Sequence, residues 1–334
     1  MSQNIVFPAP LKEGDTIAIL SPAGIIKPEH VRNSIPVLEG QGWKVKVMPH
    51  TLGRWGNYSG TPSERLADLE DAFLDPEVRA ILCSRGGYGV VHLMDALNRL
   101  PIENDPKWVI GYSDISALHA LMSTKGIASI HASMTSHISK GADDVDNKVL
   151  FDILRGEAPA FTFEGHKYDR LGQCSGKIVG GNVAVIAELI NTPYDIIEDD
   201  TILFIEDVSE PIYKIERIMY QLRLSGVLPR LRGLVVGQFT EYRGDSNYRD
   251  METMIYDMVK PYDYPVAFNV PIGHVSHNIP VIESAQATLK VTDAGQTHLI
   301  FWPMGNKYKV KNIYKTPKDA SAMHPLIVLW SFVD

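Results

Sequence analysis

Cysteine is nearly absent. Cys83 and Cys174 are the only two in 334 residues, too few for a disulfide framework or a four-ligand zinc site. Both read as small apolar packing residues. No stretch approaches the ~18 apolar residues needed to span a bilayer. The segment up to Pro10 has neither the basic flank nor the apolar core of a secretory leader. The expectation is a soluble, cytoplasmic protein. A basic excess is missing too: 32 Lys and Arg face 40 Asp and Glu, a formal net charge of −8. That balance argues against nucleic acid as the main partner. No internal repeat or low-complexity tract interrupts the chain. What remains is ordinary globular material, 45% hydrophobic and 22% charged, long enough for two domains.

The first half alternates strand and helix patterns. Thr16–Leu20, Trp43–Met48, Val78–Cys83, Lys107–Tyr112 and Ala128–Ile130 read as strands. Between them, 28–40, 61–74, 90–100 and 114–126 carry helical spacing. Such alternation implies a mostly parallel, doubly wound sheet whose sites gather outside the carboxyl ends of the strands. From 156 to 176 the pattern breaks into a polar crossing with Pro159, Gly165, Gly172 and Gly176, read as a loop. Beyond it come a strand at Lys177–Val179, helices at 183–190, 212–224 and 251–259, and strands at 201–205, 234–237 and 266–270. A hairpin follows around Asp293-Ala294-Gly295. The expected division is 1–160 as an α/β domain, 161–176 as linker, 177–315 as a second α/β domain, and 316–334 as an apolar tail of undetermined role.

Gly111-Tyr112-Ser113-Asp114 stands where a strand pattern hands over to a helix pattern. A serine on such a turn projects its hydroxyl above the sheet, and the next backbone N–H points at whatever it attacks. The motif is incomplete, because Ile115 replaces the second glycine of Gly-x-Ser-x-Gly. Taken alone, the motif is better explained by a bare helix cap at Ser113 or Asp114. The preceding strand ends at Arg85-Gly86-Gly87-Tyr88-Gly89, on the same expected edge. Its glycines make either a plain tight turn or a site that brings bare N–H groups near a ligand, as half of an oxyanion hole or a phosphate cradle. A serine nucleophile needs a base and a group that orients it. Of eleven histidines, His274 follows a strand and a Pro-Ile-Gly turn, only slightly ahead of His131 and His277. Glu206 ends an apolar strand, where it either faces a site or opens a solvated turn with Asp207 and Glu210.

Taken in order, Arg85-Gly86-Gly87-Tyr88-Gly89, Gly111-Tyr112-Ser113-Asp114, Gly180-Gly181-Asn182, Phe204-Ile205-Glu206-Asp207 and Gly273-His274 resemble the motifs of the LD-carboxypeptidase family of serine peptidases. The likeness extends over roughly Lys12 to Ile313. It implies a flavodoxin-like N-terminal domain carrying the serine and a smaller C-terminal α/β domain carrying glutamate and histidine, with the active site in the cleft between them. Carried over by motif, Ser113 is the nucleophile, His274 the general base and Glu206 its orienting partner. Backbone N–H groups of Gly87 and Asp114 form the oxyanion hole, and Gly86 and Tyr88 are expected to meet the substrate; from the residues alone, Arg85 is the nearest cation for a substrate carboxylate or else holds a structural salt bridge. The resemblance further implies a homodimer without metal or cofactor. The implied reaction releases terminal D-alanine from a murein tetrapeptide by cutting an L-to-D amide bond during cell-wall recycling.

Two other readings stand beside this one. A microcin-immunity branch of the same family cleaves aminoacyl-nucleotide analogues and carries a Trp in the interdomain loop. Here that loop offers Tyr168 and no Trp, and Trp55 lies elsewhere. A non-catalytic binding protein holding phosphate on Gly86-Gly87-Tyr88-Gly89 fits less well, since the loop matches neither Gly-x-x-x-x-Gly-Lys-Ser/Thr nor Gly-x-Gly-x-x-Gly.

Overall fold

The computed structural model describes residues 5–302 and the backbone of the strand Lys309–Lys315. The strands are β1 (Thr16–Leu20), β2 (Lys44–Val47), β3 (Val78–Cys83), β4 (Trp108–Gly111), β5 (Ser129–His131), β6 (Glu157–Glu164), β7 (Gly172–Asn182), β8 (Ile202–Val208), β9 (Gly233–Thr240), β10 (Val266–Ala267), β11 (Val281–Glu283), β12 (Gln286–Val291), β13 (Gln296–Phe301) and β14 (Lys309–Lys315). They form two sheets, ordered β2-β1-β3-β4-β5-β11 and β10-β9-β8-β7-β12-β13-β6-β14. The fold is α/β, as expected.

In the first sheet β1 to β5 are parallel, in the 2-1-3-4-5 order of flavodoxin-like folds. The continuous apolar runs follow from this placement, because both faces are covered by helices. Val109, Ile110, Leu82 and Ile19 are all buried. Order reverses between β1 and β3, where loops depart to opposite faces and leave a crevice. There Gly24 donates its N–H to the Gly86 carbonyl at 3.0 Å. The helix Pro62–Leu74 begins with a capping box, Thr61 and Glu64 exchanging bonds with each other's backbone.

The second sheet is mixed: β10-β9-β8-β7 run parallel and β7-β12-β13-β6 antiparallel. Segment 156–176, read as a loop, instead supplies β6 and the first part of β7. Glycines at 172 and 176 and polar Gln173 and Ser175 hid this, because the exposed start of β7 has little apolar surface to bury. The second sheet therefore carries eight strands to the first sheet's six. Two further expectations are corrected. The helix expected over 90–100 is a 3-10 turn, Val90–Leu93, followed by a single α-turn, Met94–Leu97. The strand expected over 266–270 is only Val266–Ala267. The apolar tail 316–334 lies outside the described residues.

The halves of the chain interlock. β11 returns to pair antiparallel with β5, Val281 opposite His131. The helix Ser116–Thr124 packs on Val183–Leu189, and Leu118, Leu121, Val183, Ile186 and Leu203 share one core. Asn182 donates its N–H to Ser116 Oγ at 3.0 Å. Any Cβ on Gly181 would collide with that hydroxyl, so close docking needs glycine there.

Candidate active site

Ser113 stands one residue beyond β4, after Tyr112, and adopts φ +68°, the left-handed region that a side chain other than Asn or Asp seldom enters. Strain of this kind is concentrated at functional sites. Neither Ser113 nor Asp114 caps the helix as the simpler reading supposed. Ser113 opens a 3-10 turn with no side-chain cap. The Asp114 carboxylate accepts from the Val90 N–H at 2.9 Å, tying the serine turn to the glycine-rich loop. Burial pushes the Asp114 pKa up, against the pull of that N–H and of Arg65. As the second residue of the turn, Asp114 presents an N–H that no carbonyl within the turn accepts.

The glycine-rich loop presses against the serine. A Cβ on Gly86 would lie 2.7 Å from Ser113 Cβ and 2.9 Å from Oγ. Gly87 has φ +114° and stacks on Gly24. The buried Arg65 braces the loop from below, donating to the carbonyls of Pro22 and Gly89 at 2.6 and 2.9 Å. The sequence places Arg65 in a run, Ser59-Gly60-Thr61 to Asp75-Pro76, that resembles the family's, but gives it no role of its own.

Glu206 lies within β8 rather than after it, at a register shift between Ile205 and Asp207. Such a bulge re-aims a side chain. Glu206 is fully buried and Asp207 nearly so, which overturns the reading of this pair as a solvated turn. Glu206 Oε2 sits 2.8 Å from His274 Nδ1. Burial opposes the imidazolium, but the carboxylate outweighs it, and the His274 pKa lies above its ordinary value. Tyr112, beside the serine, packs edge-on to the His274 ring at 4.9 Å between centroids. Asp207 accepts from Asn182 Nδ2 at 2.9 Å and from the Ala184 N–H at 3.0 Å, and burial raises its pKa to about 6.

Two cavities flank the serine, and Gly87, Ser113 and Val208 line both. The larger, about 570 Å³, is bounded by Lys27, His30, Arg85, Gly86, Glu241 and His274. The smaller, about 220 Å³, is bounded by Tyr88, Asp114, Asn182, Glu188, Asp207 and Glu210. Ser113 and His274 thus face one space, with no direct side-chain hydrogen bond between them among the described residues. Arg85 donates to the Ile25 carbonyl at 2.7 Å from an exposed position.

The competing histidines stand differently. His131 is fully buried in β5, with neither ring nitrogen hydrogen-bonded, and burial holds its pKa well below the ordinary value. It packs against Phe204 and Tyr112. His277 faces Asp146 at 2.7 Å. Among the described residues, His137, Asp144 and Asp146 bring potential metal-ligand atoms within 4.8 Å of one another, but those atoms already engage each other and the backbone.

Family models for the LD-carboxypeptidase N-terminal domain and C-terminal domain match residues 17–132 and 175–289. The chain belongs to the LD-carboxypeptidase family. Among relatives, it is 31% identical over 294 residues to a probable murein peptide carboxypeptidase of Bacillus subtilis, covering 86% of this chain and 92% of that one. Solved structures share the fold. The muramoyltetrapeptide carboxypeptidase of Oxalobacter formigenes superposes with TM-score 0.78 at 24% identity, covering 86% and 98% of the two chains. The microcin C7 self immunity protein MccF in complex with aspartyl sulfamoyl adenosine gives TM-score 0.77 at 19% identity, covering 89% and 98%. As a family member this chain is a peptidase. No helix among its described residues is long and apolar enough to cross a membrane.

Proposed function

We propose that this peptidase is a serine carboxypeptidase that releases terminal D-alanine from murein tetrapeptides through a Ser113-His274-Glu206 triad. The observation that carries this reading is the shared space at Ser113: a left-handed serine on one wall and, on the other, an imidazole held by a buried carboxylate at 2.8 Å. His274 Nε2 takes the Ser113 proton as Oγ attacks the amide carbonyl. The N–H groups of Gly87 and Asp114 receive the developing oxyanion, and His274 returns the proton to the leaving D-alanine nitrogen. Water then enters and attacks the acyl carbonyl as it loses a proton to His274, which returns that proton to Ser113 Oγ as the ester bond breaks and the peptide leaves with a free carboxylate. Glu206 keeps the proton-bearing Nδ1 fixed and stabilises the imidazolium.

The larger cavity suits a short peptide ending in a free carboxylate. Arg85 and Lys27 border it, and a charge-assisted bond to a carboxylate is about twice as strong as a neutral one. The name of the Bacillus subtilis relative agrees with a murein peptide substrate. A nucleotide-type substrate, suggested by the microcin C7 self immunity neighbour, wants an exposed aromatic face for the base. Tyr168 instead stacks on Tyr256 at 4.6 Å and bonds Thr253 Oγ1 at 2.8 Å, outside both cavities. The deciding experiment incubates the protein with synthetic murein tetrapeptide and an aspartyl sulfamoyl adenosine in parallel, scoring D-alanine and aspartate by mass spectrometry. Release of D-alanine is expected, and release of aspartate alone would replace the murein reading.

A further inference from the structure

The short loop that carries His274 is fastened twice. Within itself, Gly273 donates its N–H to Asn278 Oδ1 at 2.8 Å, and Ile279 donates to the Pro271 carbonyl at 2.9 Å. Outside itself, Asn278 donates its own N–H to Asp146 Oδ2 at 2.8 Å. Asp146 lies in the first turn of the helix Val145–Leu154, in the half of the chain that carries Ser113. Both Asp146 and Asn278 are 2% exposed. From the same half, Lys140 Nζ donates to the Ser276 carbonyl at 3.1 Å.

A buried carboxylate is costly unless fully partnered. Asp146 Oδ2 accepts from the Asn278 N–H and lies 3.4 Å from His137 Nε2, while Oδ1 lies 2.7 Å from His277 Nδ1 without a hydrogen bond. Two local explanations for retaining it fail. It is not the helix cap, because Asp144 already accepts from the N–H groups of Asp146 and Asn147. It is a poor metal ligand, because Lys140 Nζ stands 3.2 Å from His137 Nδ1 and its ammonium opposes a cation there. What the carboxylate does touch is the backbone of the histidine loop.

We propose that Asp146 and Asn278 are positioning residues that fix the backbone of His274 relative to Ser113 across the junction of the two halves. This rests on the triad reading above. Glu206 sets the orientation of the ring, whereas Asn278 and Asp146 set where its Cα stands. A base displaced by about 1 Å loses on the order of a hundredfold in rate, so the two constraints are separate requirements.

The test compares kcat, KM and thermal unfolding for Asp146→Ala, Asp146→Asn and Asn278→Ala, each in the wild-type and the His274→Ala backgrounds. Asp146→Ala and Asn278→Ala should lower kcat about 10- to 100-fold with KM within about twofold. Asp146→Asn keeps an acceptor for the Asn278 N–H and should recover most of the rate. In the His274→Ala background none of them should cost more, since there is no base left to place. If Asp146→Ala does not fold, Asn278→Ala carries the same comparison. Losses that persist without His274, or that appear as KM, overturn the proposal, as does full activity of Asn278→Ala beside an inactive His274→Ala. An active His274→Ala overturns the triad reading itself.

Discussion

Gly273 and Glu206 stand so close that a methyl group on the glycine would lie 2.7 Å from Oε2 and 2.9 Å from Cβ of the glutamate. Gly273 also holds φ +123°, so an L side chain is strained there as well as obstructed. The residue before His274 is therefore glycine because the carboxylate that serves His274 occupies its side-chain space. Gly273→Ala should destabilise the fold by about 1–3 kcal/mol and lower kcat/KM at least as far as Glu206→Gln does. Denaturant unfolding and steady-state kinetics measure the two effects, and a wild-type kcat/KM would show that Glu206 can move freely.

The triad predicts non-additive losses. Ser113→Ala and His274→Ala should each reduce kcat by roughly 10⁴-fold or more, and the double variant should be no worse than either. Glu206→Gln should retain more activity, since it orients the base without taking the proton. A fluorophosphonate probe should label the wild type and not Ser113→Ala. A double variant a thousandfold worse than the singles would separate the two residues into different mechanisms.

The pH dependence has a definite sign. His274 must be neutral to accept the Ser113 proton, and its pKa lies above the ordinary 6.5. Thus kcat/KM should rise with pH through an inflection above that value, and Glu206→Gln should move the inflection down. Stability runs the other way. A pKa raised on folding stabilises fully below the unfolded value, and the contribution fades as pH rises through the folded value. A rate that falls across this interval, or an inflection unmoved by Glu206→Gln, would remove His274 from the role of base.

Arg85 tests the substrate. It borders the larger cavity with one N–H spent on the Ile25 carbonyl, leaving other donors for an anion. Arg85→Ala should cost about 1.5–3 kcal/mol in catalytic efficiency on the free-acid tetrapeptide, about tenfold to hundredfold, and little on its C-terminal amide. Equal losses on both would assign Arg85 to bracing the glycine loop.

Much of this was legible in the sequence, and the reasons are local. Val78–Cys83 is apolar at every position but Arg79 because both faces of its sheet are covered. Ile212–Leu224 and Met251–Val259 stand where their periodicity put them. The start of β7 was illegible, since its residues are polar or glycine and the pairing with β12 is long-range. The helix Val145–Leu154 was missed despite its capping Asp144. At the site, motif order pointed to Ser113, Glu206 and His274. The burial of Asp207 and the reach of Asp146 to Asn278 depend on contacts between distant segments, which no local pattern records.

The late return of β11 to the edge of β5 has a consequence for synthesis. While the N-terminal half leaves the ribosome, β5 ends its sheet with an open row of N–H and C=O groups. That edge stays a template for wrong pairing until Val281–Glu283 has been made, and closing so long a loop is slow. A chain cut between the two family segments would leave the edge bare permanently, so the halves of this peptidase are separate in sequence and joint in folding.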